Sequence, residues 1–357
     1  MSPLDAVPKS IPRRASVDLP TVTLAHGGGG RAMRDLIDGV FLEAFGCPEL
    51  KEMNDAAVIA LSGLAAQGDR LAFTTDSFVV DPLVFPGGDI GKLAVCGTIN
   101  DLAVSGARPL YLTCAVILEE GFPIPELRRI VGSMASAARE AEVAVVTGDT
   151  KVVGRGACDK LFINTAGIGV IEHGLDLGPT RVRPGDVILV NGLLGDHGAT
   201  ILNARGDLAL STPIESDCAA LHDLIGVVKA AAPNLRFLRD ATRGGLATVL
   251  NEVAESARVG IALDESAVPI RAEVKGFCEI LGLDPLYLAN EGKLVAIVPE
   301  AEAPAALAAM RGHRHGAEAA VIGRVTDRRP GRVTMRTVFG GERVVDMLVG
   351  DQLPRIC

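Results

Sequence analysis

The chain has 357 residues, with 35 Lys and Arg against 44 Asp and Glu for a formal net charge of −9. Its basic residues are scattered rather than gathered in a stripe, which argues against nucleic acid as a partner. No uncharged apolar run approaches the ~20 residues of a membrane span, and MSPLDAVPKSIPRRAS lacks the apolar centre of a signal peptide, so no membrane association and a cytoplasmic location are expected.

Residues 1–20 hold several prolines and mixed charges without periodicity and read as a mobile extension. A first domain is expected over 21–178. In it the strand-like runs RLAFTTDSF, YLTCAVILEE, VAVVTGDTKVV and KLFINTAGIGVI alternate with helical patterns. Leu93, Cys96, Ile99, Leu102 and Ala103 recur at helical steps within 91–105, as do Leu127, Ile130, Val131, Met134 and Ala138 later, and both segments read as amphipathic helices with one buried face. A Gly- and Pro-rich break at GLDLGPTRVRPG introduces a second domain over 179–347. Its expected elements are a strand in DVILVNG, a helix entered through RDATRGG, strands IALDESAVPI and KLVAIVP, and a hairpin turning at Gly340 and Gly341. Residues 348–357 read as an extended, flexible tail, because Pro354 disfavours helix at Leu353. Scarce aromatics against 41 Gly point to a small-aliphatic core of strands alternating with helices, an α/β chain of two domains. Seven Cys with no CxxC pair read as reduced core thiols, with Cys357 as the exception.

Four acidic residues, Asp55, Asp76, Asp101 and Asp149, each sit at the edge of an apolar element beside small residues. Mg²⁺ takes hard oxygen ligands and is commonly held by a few carboxylates plus nucleotide phosphates, so strand-end aspartates converging on one cleft would suit MgATP; singly, each is more often a turn or cap residue, and four in one domain shift the reading toward metal. HGGGG at 26–30 could offer backbone N–H groups to phosphate, or be a flexible loop. No P-loop or strand-linked GxGxxG is present. In RDATRGG, Asp240 or Thr242 could cap a helix whose glycines let an anion approach, or be an ordinary cap. Lys151, two residues after Asp149 on a strand, shares its face. Glu291, before the strand KLVAIVP, is either a general base or a surface residue, and the local polarity favours the surface.

Taken together, TLAHGGGG, FTTDSFVVDPLVFPGGDIGKLAVCGTINDLAVSGA, VVTGDTKVV, LFINTAGIG, RDATRGGL, ANEGKLV and the closing PRIC occur in order. From about Thr21 to Cys357 the chain resembles the HypE family of hydrogenase maturation proteins, within the aminoimidazole ribonucleotide synthetase superfamily. The resemblance implies a PurM-like two-domain α/β (α+β) fold and a homodimer whose N-terminal strands form a barrel-like interface around the ATP sites. It implies ATP and Mg²⁺ as cofactors, with His26, Gly27, Gly29, Gly30, Asp76, Asp101, Asp149, Asp240 and Thr242 at the nucleotide and Asp55, Asp76, Asp101 and Asp149 at the metal. It also implies that HypF loads a carbamoyl group on Cys357, that this chain dehydrates it with Lys151 and Glu291 as catalytic residues, and that a HypC–HypD complex accepts the cyanide for a [NiFe]-hydrogenase. His197 matches a family position as well. Gly28 departs from the family's small hydroxyl residue. Another member of the superfamily, a selenophosphate synthetase or thiamine monophosphate kinase in which Cys357 is incidental, is the competing enzyme reading; a silent scaffold is the competing non-enzyme reading.

Overall fold

The computed structural model describes residues 19–51, 56–206, 213–348, 350 and 355–357. The stretch from residue 1 to 18, Asp55 and Pro354 lie outside the described residues.

Residues 70–171 form a four-stranded sheet in the order β1-β4-β2-β3, from β1 (Arg70–Phe78), β2 (Ala107–Glu119), β3 (Ala144–Val153) and β4 (Leu161–Ile171). Strand β1 reproduces the run RLAFTTDSF residue for residue. Its outward side chains include Leu71 and Phe73, both exposed, while Thr74, Asp76 and Phe78 face inward. Strands β2 and β3 run parallel, and helix α2 (Ile124–Glu140) makes the crossover between them with one apolar face buried, as its period predicts. Helix α1 (Ile90–Val104) departs from expectation. It is buried on every side rather than on one face, because it is wedged between the sheet, α2 and the second unit. Gly91 permits this: a Cβ there would stand 2.5 Å from the Ile130 carbonyl oxygen.

The second unit is built on a seven-stranded sheet. Its elements are β5 (Val187–Val190), α3 (Asp196–Ala204), α4 (His222–Ala231), β6 (Phe237–Asp240), α5 (Gly245–Ala257), β7 (Gly260–Asp264), α6 (Ala272–Leu281), β8 (Leu294–Val298), α7 (Ala303–Arg311), β9 (Ala320–Thr326), β10 (Val333–Arg336) and β11 (Glu342–Val345), with strand order β11-β10-β7-β9-β5-β8-β6. Alternate residues of β5 and β8 enter two different cores, Ile188 and Val295 on one face, Leu189 and Ala296 on the other. Helices therefore cover both faces, and strands covered on both faces read as unbroken apolar runs such as VILV. The expected hairpin is present as β10 and β11. IALDESAVPI is shorter as a strand than predicted: β7 stops at Asp264, whose carboxylate accepts from the Ser266 N–H and starts a 3₁₀ turn.

Candidate active site

The C-terminal edge of β1, the middle of α1, the end of β6 and the turn before β8 meet at one polar cavity. Thr75, Asp76, Gly97, Asp101, Asp240, Thr242, Arg243, Glu291 and Cys357 line it.

Asp76 and Asp101 arrive from different kinds of element, a strand and a helix, which corrects the expectation of strand-end aspartates. Thr74, two residues from Asp76 on the same face, donates from its hydroxyl to Asp101 at 2.8 Å. Asp240 and Thr242 do not cap a helix. Asp240 closes β6, and the N-cap of α5 is Gly244, held at φ 73°. Gly245 follows because a Cβ there would lie 2.5 Å from the Leu286 carbonyl oxygen. This close approach turns the chain so that Thr242 and Arg243 line the cavity.

Glu291 is 3% exposed, which corrects the surface reading. Its main-chain N–H donates to Asp217 at 3.0 Å and that of Gly292 at 3.2 Å, with Lys293 Nζ 3.1 Å from the same carboxylate. Burial raises the Asp217 pKa, yet Lys293 and the Glu291 N–H outweigh it, so Asp217 stays below the ordinary carboxylate range. Glu291 shifts the other way: burial first, then the charges of Asp217, Asp240 and Asp76, push it well above the ordinary range. Burial likewise raises Asp101, and burial with the Asp101 charge lifts Asp240 to about 7. Arg243 is the cation among the residues that line the cavity, and Arg239 acts on Asp101 and Asp240 from beside it. Arg243 lies 3.7 Å from Asp76, and the charge of Cys357 acts on it most strongly. Three acids are held above their usual pKa although Arg239 and Arg243 pull Asp101 down and Arg239 pulls Asp240 down, so burial and mutual repulsion outweigh the positive charge the site contains.

A stability consequence follows for Asp240. Its folded pKa exceeds its unfolded one, so the stabilisation is complete below about pH 4 and is lost as pH rises through about 7. Between pH 5 and 8 the loss is on the order of 2–3 kcal/mol. In ligand-free protein, Asp240→Asn is expected to shrink the fall in unfolding free energy over that range, as measured by urea titration; an unchanged fall would show that Asp240 is not the buried acid responsible.

Of the expected flexible tail, residues 355–357 are docked, while residues 349 and 351–354 lie outside the described residues. Ile356 and Cys357 are 5% and 8% exposed and belong to the core around α1. The Val79 N–H donates to the Cys357 main-chain oxygen at 3.0 Å, and Arg355 donates from Nε to the Val79 carbonyl at 3.0 Å while its guanidinium meets Asp159. Cys158, not Cys357, is the most exposed thiol.

The remaining expected residues are elsewhere. Asp149 and Lys151 form a 3.2 Å ion pair on β3, which lies at the opposite edge of the sheet from β1. Three strand spacings of about 4.8 Å separate them from Asp76, about 14 Å in all. Lys151 therefore does not meet Glu291 within one chain, and Asp149 does not join Asp76 and Asp101. Among the described residues no group of three or more His, Cys, Asp or Glu is arranged to hold a metal. The loop 26–30 packs on β3, where a Cβ on Gly27 would strike the Val152 nitrogen at 2.8 Å. Gly29 sits at φ 77° and, like Gly30, has open space beside it. His26 is buried, with Nδ1 accepting from the Thr23 N–H at 2.9 Å. Sequence reasoning missed Asp217, Lys293 and Arg243. Arg243 lies within a motif already singled out, whereas Asp217 sits in a segment without periodicity that offers no signal.

Comparison with known proteins follows the same division. Residues 53–171 match the N-terminal domain of AIR synthase related proteins, and residues 183–336 match the C-terminal domain. The chain is 64% identical to carbamoyl dehydratase HypE of Rhodobacter capsulatus, over 94% of this chain and 98% of that protein. A crystal structure of hydrogenase maturation protein HypE in complex with ATP superposes with a TM-score of 0.89 at 50% identity, covering 94% of this chain and 99% of that one. A HypE–HypF complex gives 0.76 at 46% identity, covering 89% of this chain and 100% of that one. Among the described residues no helix is long and apolar enough to cross a membrane.

Proposed function

The chain belongs to the carbamoyl dehydratase HypE family and is an enzyme of hydrogenase maturation, and on that premise we propose that it spends ATP to dehydrate a carbamoyl group carried on Cys357 to a cyano group. The observation that supports this most directly is the seating of Cys357 in one cavity with Glu291, Arg243 and Asp76. HypF is the partner that loads the carbamoyl group, and a HypC–HypD complex, serving a [NiFe]-hydrogenase, is the acceptor of the cyanide.

The carbamoyl oxygen is a poor leaving group, so it first attacks the γ-phosphorus of ATP and ADP departs. One nitrogen-bound proton is released as this phosphorylated imidate forms. Glu291 takes the second as the C–O bond breaks, phosphate leaves with the oxygen, and S–C≡N remains. Burial suits Glu291 to this work, because a carboxylate lifted above its ordinary range is a stronger base once ionised. Arg243 faces the negative charge that develops on the phosphate. Magnesium fits the cavity through Asp76 and Asp101, since a nucleotide-bound ion needs only one or two protein carboxylates, and when bound it offsets phosphate charge. Asp76→Asn is expected to keep the fold and lower ATP turnover about a hundredfold; wild-type turnover would remove Asp76 from the site.

The nucleotide's other contacts lie with Asp149, Lys151 and the loop 26–30. A homodimer through the outward face of the four-stranded sheet brings these elements of one copy to Asp76 of the other, and it covers Leu71 and Phe73, which are exposed on that face of β1. Light scattering at micromolar concentration should give the mass of two chains; a monomer would contradict this arrangement. For the reaction itself, the intact protein incubated with HypF, carbamoyl phosphate and ATP should gain the mass of one carbamoyl group and then lose one water. Persistence of the carbamoyl mass while ATP is consumed would overturn the proposal.

A further inference from the structure

Helix α3 presents two groups to the chain end, His197 in its first turn and Arg205 at its C-cap. They lie eight residues apart, about 12 Å along the axis. His197 is fully buried, and its Nε2 is 2.8 Å from the Ile356 carbonyl oxygen. A carbonyl only accepts, so Nε2 carries the proton and Nδ1 accepts from the Ser216 hydroxyl at 2.8 Å. The Ser216 oxygen in turn accepts the Cys218 N–H at 3.2 Å. One tautomer is thereby fixed, and burial keeps the ring neutral by lowering its pKa. Arg205 donates to the Arg355 carbonyl at 2.8 Å and to the Asp81 carbonyl at 3.0 Å, tying the end of the chain to the segment after β1.

The helix is itself referenced to the turn that holds the proposed base. The Gly195 N–H donates to the Asn290 side chain at 2.8 Å and the Gly198 N–H to the Ala289 carbonyl at 3.0 Å, while Asp196 makes two 2.7 Å contacts with Arg271. Glu291 follows directly in the chain.

We infer that His197 is a positioning residue: by holding the Ile356 carbonyl it seats the next residue's sulfur in the cavity beside Glu291 and sets the balance between a docked and an exposed chain end. This deepens the reading above and rests on it for the role of the sulfur. The contact is to main chain, so it is indifferent to what the sulfur carries. Free, carbamoylated and cyanated ends are seated alike, and what His197 selects is the spacing between a backbone carbonyl and a thiol.

Alkylation of the purified protein by iodoacetamide, without ATP or partner and resolved by peptide mass, reads the docked fraction at Cys357. His197→Ala should raise the rate at Cys357 about tenfold, the worth of one buried hydrogen bond, while leaving Cys158 unchanged. His197→Gln, whose amide also donates, should restore most of the protection. Equal Cys357 rates in His197→Ala and wild type would overturn the inference. If His197→Ala does not fold, Arg205→Gln should raise the same rate by loosening the adjacent carbonyl, and no change there would overturn it equally. In single turnovers of preloaded protein, His197→Ala should slow dehydration without changing ATP affinity. Should wild-type protein itself fail to dehydrate, the carrier reading falls, and the alkylation result still decides the role of His197.

Discussion

Replacing Glu291 by Gln is expected to leave loading of Cys357 intact and to slow dehydration by about 10²–10⁴-fold, so that the carbamoylated protein accumulates. The substitution keeps volume and hydrogen-bonding reach, and the main-chain bonds to Asp217 are unaffected because they come from the N–H groups of Glu291 and Gly292. It removes only the ability to accept a proton. In the wild type the same group predicts a pH profile. The folded pKa is raised by burial and by Asp217, Asp240 and Asp76, and the base acts when ionised, so the dehydration rate should climb as pH rises through a value above the ordinary carboxylate range. Quench-flow mass measurement across pH 5 to 9 checks both statements. Conversion of the carbamoyl group at the wild-type rate by the Glu291→Gln protein would exclude Glu291 as the base.

Cys357→Ser is expected to abolish loading altogether, without loss of fold. A hydroxyl is a far weaker nucleophile than a thiol at neutral pH, and the other cysteines are poor substitutes. Burial lifts Cys114 to about 12 and Cys278 to about 11. Cys218 is raised by the neighbouring Cys96 and by burial. Cys158, although more exposed, is raised by burial and by the charges of Glu119 and Asp159. Thermal unfolding within a few degrees of the wild type, together with no carbamoyl mass after incubation with HypF, is the expected pair of results; a carbamoyl mass on the Cys357→Ser protein would show that another group can serve.

Local pattern made much of this molecule legible. Alternation located β1 to the residue, because β1 has one inward face and one exposed face, and the apolar period of α2 is that of a helix with a single buried side. Pattern failed where burial is decided by distant chain. Helix α1 shows a one-sided period and is enclosed on all sides, since what covers its second side comes from the seven-stranded unit. Glu291 reads as exposed in the sequence for the same reason: its flanks are polar, but Asn290 and Gly292 are bonded inward to Ala241 and Asp217. The aspartates are recognisable by type, yet their grouping depends on strand order. Because β4 and β2 lie between β1 and β3, Asp149 is parted from Asp76, and no spacing in the sequence reports that order. The docked chain end is likewise invisible, because the bonds that hold Ile356 and Arg355 come from His197 and Arg205, about 150 residues earlier.

The most direct test is to load the protein with ¹³C-carbamoyl phosphate, HypF and ATP, and to map the label by peptide mass. The account predicts the label on the peptide containing Cys357, first as a carbamoyl group and then one water lighter. Label on Cys47, Cys96, Cys114, Cys158, Cys218 or Cys278 with Cys357 unmodified would contradict it.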